Sequence, residues 1–283
     1  MKKKELVQES STIEVERVDD EDSLNIVFKP NAGPQTDFLA AGEREVLYGG
    51  SAGGGKSYAM LADPLRYMGH PSFSGLLLRH TTEELRELIY KSKEIYPQIW
   101  KGIKWSERKM QWEAPSGARL WMSYLDREDD VLRYQGLAFS WIGFDELTQW
   151  ASPYAWNYMR SRLRSVASDL PVYMRATTNP GGPGHQWVKK MFIDPAPYGK
   201  QFDATDIESG NILSYPKGHT KAGQPLFKRR FIPARLSDNP YLAETGDYET
   251  MLLSLPEHQR KQLLEGDWDI KEGAAFSEFD RNI

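Results

Sequence analysis

The residues able to do chemistry fall in two places. Gly50-Ser51-Ala52-Gly53-Gly54-Gly55-Lys56-Ser57 matches G-x-x-x-x-G-K-[ST] in full, and each part of that pattern suits a triphosphate. Glycine lets the backbone turn so tightly that successive amide N–H groups face one anion with no Cβ in the way. A helix opening at the lysine aims its free N–H groups and partial positive charge at the same anion. Lys56 then reaches the β- and γ-phosphates, and the Ser57 hydroxyl ligates magnesium. Gly50, Ser51, Ala52, Gly53, Gly54, Gly55, Lys56 and Ser57 are therefore the expected nucleotide contacts, with ATP and Mg2+ as cofactors.

The second place is the end of the apolar run Phe139 to Phe144, where Asp145-Glu146 follows. Triphosphate hydrolysis needs one carboxylate to hold hydrated magnesium and another to position or deprotonate the attacking water. Alternation along a strand sends neighbouring side chains to opposite faces. Asp145 is thus expected to hold the metal and Glu146 to act as general base.

Positioning these groups takes a sheet. A strand over Glu45 to Tyr48 precedes the glycine-rich loop and a helix from Tyr58 to Met68 follows it. Next come Gly75 to Arg79, a helix over Thr82 to Ile95, then Ala118 to Met122, Phe139 to Phe144, a helix over Pro153 to Ser165, and Pro171 to Ala176. Runs apolar on both faces, separated by helix-length segments, mark an α/β fold with a mostly parallel central sheet flanked by helices. With the phosphate loop, this is a P-loop NTPase. A Glu directly after the Asp is typical of the ASCE type, with an extra strand between the phosphate-loop strand and the acidic strand; Ala118 to Ser123 is the candidate for that region. Lys200 to Gly223 reads as loop and Lys228 to Leu236 as a further strand. Leu242 to Leu253 and Glu257 to Leu264 read as short helices of a small C-terminal lid, ended by Gly266. The expected organisation is a flexible acidic tail over 1–24, an ATPase core over 25–235, a lid over 236–272 and a linker over 273–283.

Composition sets outer bounds. The chain has 283 residues, a net charge of −4 and no cysteine. Disulfides, thiolate zinc sites and cysteine nucleophiles are excluded. The five histidines form no pair at metal-ligand spacing. No run approaches the roughly 18 apolar residues of a membrane helix, and no apolar region follows the lysine-rich start, so neither a membrane partner nor a secretory leader is expected. The absence of a basic excess argues against a protein that statically coats nucleic acid. Local basic density occurs at Arg160-Ser161-Arg162-Leu163-Arg164, at Lys189-Lys190, and from Lys217 through Lys228-Arg229-Arg230. Trp150, Trp156 and Trp187 read as core or subunit-contact residues.

Over most of residues 30–283 the chain resembles the ATPase domain of tailed-bacteriophage terminase large subunits, the motors that package viral DNA. Pro30 to Phe38 resembles the adenine-recognising segment, with Gln35 as the base contact. Thr177-Thr178-Asn179-Pro180 resembles the coupling motif, with Asn179 sensing the γ-phosphate. Leu236 to Tyr241 and Leu264 to Trp268 resemble the segment leading out of the domain. The resemblance implies ATP-driven translocation of double-stranded DNA into a procapsid in the host cell cytoplasm. It also implies a ring of subunits on the portal protein, a small terminase subunit as partner, and a weak, non-specific grip on duplex DNA through the basic clusters. A helicase-like ATPase and a nucleotide-dependent assembly module with negligible turnover are the alternatives. Two departures stand out. Ala52 occupies the position where many members carry an arginine, which shifts attention to a finger from a neighbouring subunit: Arg133 first, Arg162 and Arg164 second, Arg79 third. The nuclease domain's carboxylate cluster is also missing, so DNA cleavage is not expected.

Overall fold

Glu45–Gly50 forms a strand with every residue buried, the signature of a parallel strand covered on both faces. The computed structural model describes residues 26–270; the acidic tail expected over 1–24 and the linker over 273–283 lie outside the described residues. In chain order the strands are β1 (Glu45–Gly50), β2 (Ser74–Arg79), β3 (Lys104–Ser106), β4 (Gln111–Glu113), β5 (Arg119–Tyr124), β6 (Trp141–Asp145), β7 (Tyr173–Thr178), β8 (Gln201–Asp203) and β9 (Lys228–Ala234). They make one sheet ordered β3-β4-β5-β2-β6-β7-β1-β9-β8. β5, β2, β6, β7, β1 and β9 run parallel, while β3, β4 and β8 are antiparallel additions at its two ends.

The helices are α1 (Pro34–Ala40), α2 (Lys56–Ala62), α3 (Thr82–Ile99), α4 (Tyr154–Arg160), α5 (His185–Val188), α6 (Pro240–Ala243), α7 (Asp247–Leu253) and α8 (Glu257–Arg260). α3 opens with a reciprocal capping box, Thr81 Oγ1 accepting from Glu84 N–H and the Glu84 carboxylate accepting from Thr81 N–H. Its buried Leu85, Leu88, Ile89, Ser92, Tyr96 and Ile99 fall on one helical face. That face packs with Leu61 and Leu65 against Leu77, Leu120 and Met122 on one side of the sheet. Trp150, Trp156 and Trp187 lie in the core on the other side, with Leu76, Phe144 and Ile142.

The structure changes five expectations, one being that the segment from Lys200 to Gly223, read as loop, opens with β8, which pairs with β9. The strand between β1 and β6 is β7, not Ala118 to Ser123, whose strand β5 lies beyond β2. Strand order is a long-range property that linear order does not carry. The helix after the phosphate loop ends at Ala62 and tightens into a 3-10 turn over Asp63–Tyr67, where Pro64 supplies no N–H for the α-helical ladder. The helix expected to Ser165 stops at Arg160, because Phe139 N–H and C=O bond Arg162 O and Arg164 N–H and draw that segment into a bridge. The first lid helix divides into α6 and α7 around Gly246, whose φ is 68°.

Candidate nucleotide site

Because β1, β2, β6 and β7 are parallel, their carboxyl ends share one edge, where open α/β sheets take ligands. The phosphate loop leaves β1 there, Arg79 ends β2, Asp145 ends β6, and Thr177-Thr178 ends β7. The register sets Thr177 between Tyr48 on β1 and Asp145 on β6.

The loop's shape is fixed from outside. Gly53 O accepts from Asn239 Nδ2 at 2.6 Å, Gly54 O from Tyr48 Oη at 2.7 Å, and Gly55 O from Gln35 Nε2 at 2.9 Å. A trans peptide points its N–H opposite to its C=O. Three carbonyls held against the surrounding protein therefore turn the N–H groups of Gly54, Gly55 and Lys56 into the cradle, as phosphate binding requires. Gln35 is buried, with its own Oε1 accepting from Asn31 N–H at 2.6 Å. Tyr48 and Asn239 were not among the residues singled out from the sequence; a clamp on a carbonyl leaves no spacing signature. Beside Gln35 opens a cavity of about 420 Å3, lined by Phe28, Asn31, Gly55, Tyr58, Tyr241 and Leu242 among others.

Lys56, Asp145, Glu146 and Asn179 come together. Lys56 is 7% exposed, and its Nζ donates to Ser51 O and Asn179 Oδ1, both at 2.7 Å. Burial lowers the pKa of its ammonium despite the attraction of Glu146 and Asp145. Asp145 is fully buried; Thr177 Oγ1 donates to Oδ1, and Arg79 Nε lies 2.7 Å from Oδ2. Glu146 stands at φ 61°, ψ 59°, the left-handed region, which costs a non-glycine residue about 1–3 kcal/mol. The strand ends at Asp145, so strand alternation does not extend to Glu146, whose direction is set by this backbone turn. Burial raises the pKa of the Glu146 carboxyl; Asp145 adds to that, while Lys56, Arg79 and a backbone bond from Asn179 oppose it, and the net effect is upward. Ser57 is the second residue of α2, directly after Lys56. The described residues hold no group of three His, Cys, Asp or Glu able to bind a metal, so a cation here would rest on Ser57, the Asp145 carboxylate and the ligand's own oxygens.

Of the arginines named from the sequence, one lies at the acids of its own chain, and the role of a finger given to a neighbouring subunit is untouched by that placement. Arg79, ranked last, is the one at the acids. Arg133 is not brought to them: its guanidinium sits over the Tyr124 ring, donates to Tyr124 O at 2.7 Å and lies 3.6 Å from Asp130. Arg164 donates to Gly136 O and Leu137 O, and Arg162 packs over Tyr158.

Much of the basic density is likewise committed inside the fold. Arg160 and Arg229 both pair with the buried Glu45, and Arg229 is 1% exposed. Arg230 donates to Gly199 O, Lys228 pairs with Asp203, and Lys189 pairs with Asp194 and Asp269.

The lid closes the remaining side. Leu263 O, in the π-helical turn Lys261–Glu265, accepts from Ala52 N–H at 2.6 Å. His185 Nδ1 accepts from Gly181 N–H at 2.8 Å, and its ring stacks on Trp268. The exit segment read from the sequence is thus a wall of the site.

Solved structures share this architecture. The large terminase of a thermophilic bacteriophage, in complex with ADP, aligns with a TM-score of 0.56 at 16% identity over 84% of this chain and 54% of that one. The large terminase ATPase domain of Thermus phage P74-26 aligns with a TM-score of 0.52 at 13% identity over 85% of this chain and 94% of that domain. The chain thus spans about half the length of the ADP-bound terminase. No curated protein matches it. The family model described as terminase large subunit, T4likevirus-type, N-terminal, matches residues 47–283. With that match over most of its length, and a phosphate loop, acidic pair and Thr177–Pro180 segment meeting at one sheet edge, the chain belongs to the family of terminase large subunits, of which it carries the N-terminal region.

Proposed function

We propose that the chain hydrolyses ATP with magnesium and is the motor domain that translocates double-stranded DNA into a procapsid. The observation that carries the reading is the meeting of Lys56, Glu146 and Asn179 beside a loop whose Gly53, Gly54 and Gly55 carbonyls are held by the surrounding protein. The phosphate tail lies in the loop, and the base takes the cavity beside Gln35, a volume within the range of small-ligand pockets. Triphosphate charge raises the buried Lys56 ammonium's proton affinity, so a bound ligand keeps that cation charged. The oxygen donors Ser57 and Asp145 suit a hard cation, which supplies neutralisation of charge on the phosphate oxygens. The raised Glu146 carboxyl is the better base for the attacking water, and its tie to Asn179 links it to the Lys56 partner. Loss of the γ-phosphate releases Lys56 and Asn179 together and passes through Thr177–Pro180 to the lid. Arg133, exposed and held by Tyr124 of β5 and by Asp130, acts toward a neighbouring copy in a ring on the portal. The small terminase subunit and a host-cytoplasmic setting follow from the same reading.

Turnover of wild type, Lys56→Ala and Glu146→Gln tests it, with and without duplex DNA. Glu146→Gln is expected to keep nucleotide affinity within about threefold and lose roughly 10²–10⁴ in turnover, while Lys56→Ala loses both. Full residual hydrolysis by Glu146→Gln removes that residue from the role.

A further inference from the structure

We propose that the β3–β4 hairpin is the surface on which this domain meets the phosphate backbone of duplex DNA, with Arg108 and Lys109 as the contacts at its turn. The inference rests on the DNA-translocating reading above and names the surface that would serve it.

Residues 101–109 read Lys-Gly-Ile-Lys-Trp-Ser-Glu-Arg-Lys, four cations against one acid. In the fold that acid, Glu107, is taken by Lys93 of α3. Lys104 faces Glu113 across the β3–β4 ladder, and Glu113 in turn faces Arg119 on β5. Arg108 and Lys109 are exposed, and among the described residues no carboxylate pairs with either. They project from a turn that is already ordered. Glu107 O accepts from Met110 N–H at 3.3 Å, and Met110 O accepts from Met122 N–H at 2.9 Å, fixing the turn to β5. Met110 holds φ 48°, a left-handed position in a hairpin loop. Trp112 beneath it donates to Ser92 Oγ at 3.0 Å and packs on Trp105. A preset backbone loses little entropy when its cations engage.

Placement and elimination both favour a polyanion. β4 runs antiparallel to β5, so the turn lies where β5 ends, on the sheet edge that carries the phosphate loop. A chain of net charge −4 repels a duplex overall, so a grip needs a local positive surface. Most cations of the clusters read from the sequence are engaged: Arg160 and Arg229 with Glu45, Lys189, Lys228 and Arg230 with partners within the fold, Arg164 with the Gly136 and Leu137 carbonyls and Arg162 over the Tyr158 ring, which leaves Lys190 exposed alone in the described 160–164, 189–190 and 228–230 stretches. Residues 206–221 carry Lys217 and Lys221 together with Asp206 and Glu208, a balanced segment in charge. The hairpin is the denser excess, and lysine and arginine in a turn read charge without sequence.

The test is duplex binding by the chain, followed by fluorescence anisotropy across a salt series. It compares wild type with Arg108→Glu/Lys109→Glu and, as control, Lys217→Glu/Lys221→Glu. Removing two phosphate contacts makes the slope of log affinity against log salt shallower by about 1.8. Affinity at low salt is expected to fall at least about tenfold, with DNA-free ATP turnover unchanged and the control close to wild type. If wild type binds and the hairpin variant matches it in affinity and slope, the hairpin assignment fails while the DNA reading stands. Equal losses in both variants also overturn it, by pointing to diffuse charge. A variant that binds DNA normally but changes self-association in sedimentation assigns the patch to a second copy and overturns it too. If wild type hydrolyses ATP yet binds no duplex, both readings fall.

Discussion

Gln35, the base contact that the resemblance implies, has a second task in holding the phosphate loop. Each end of its amide is engaged once, with Asn31 N–H at 2.6 Å and Gly55 O at 2.9 Å, and an amide has a second N–H and a second lone pair for a base. Gly55 itself sits at φ 73°, and a Cβ there would lie 2.7 Å from Gln35 Nε2, so the two residues fix one local shape. Gln35→Ala frees the Gly55 carbonyl and loosens the Lys56 N–H. Losing such a bond costs about 1–3 kcal/mol. ATP and GTP affinities should therefore fall together, about 5- to 150-fold, with their ratio constant within about twofold; competition titration measures it. A marked change in the ratio would assign Gln35 the base contact as well. Lys56, Asp145 and Glu146 were legible because their types and spacing state the chemistry. The pairing of Arg79 with Asp145 was not legible, because it depends on β2 lying beside β6, which the linear chain does not record.

At the scale of elements, the parallel strands were legible from their apolar runs, and the hairpin strands were not. β3 and β4 have three residues each and carry Lys104 and Glu113 among two tryptophans, too short and mixed for periodicity to register. β1 shows a further cost of burial. Its first residue, Glu45, is fully buried between Arg160 and Arg229. Burial raises the pKa of its carboxyl, but the two guanidiniums outweigh this and hold it below the ordinary 4.5. A depressed folded-state value means the stabilisation is present above that ordinary value and is lost as pH falls through the folded one. Glu45→Gln leaves Arg229 with an uncompensated buried charge and should lower stability by about 3–5 kcal/mol near pH 7. Its deficit relative to wild type should shrink as both are acidified below about pH 4.5. Parallel stability-versus-pH curves for the two proteins would remove Glu45 as the source.

At the scale of the whole molecule, the question is what joins the phosphate loop to the lid, a link the sequence showed only as two weak segments in the right order. Residues 262–268 touch both halves of the site at once. Leu263 O holds Ala52 N–H, Trp268 stacks on the His185 that caps Gly181, and Gly266 lies against the loop's first residues. Gly266 is at φ 65°, and a Cβ there would stand 2.7 Å from Ser51 N and 2.8 Å from Gly50 C, so backbone alone meets backbone. Gly266→Ala combines a left-handed strain of about 1 kcal/mol with that collision, and the lid turn must move off the loop. The Leu263–Ala52 bond lengthens with it, and its two ends become exposed in the same event. Hydrogen exchange should accordingly accelerate together at 50–54 and 261–268, while β2 and β5, which touch neither, keep wild-type protection. Acceleration confined to the neighbourhood of residue 266 would mean that the lid turn and the phosphate loop open independently. The Ala52 contact would then be a passive neighbour of the nucleotide site, with no part in carrying the loss of a phosphate to the lid.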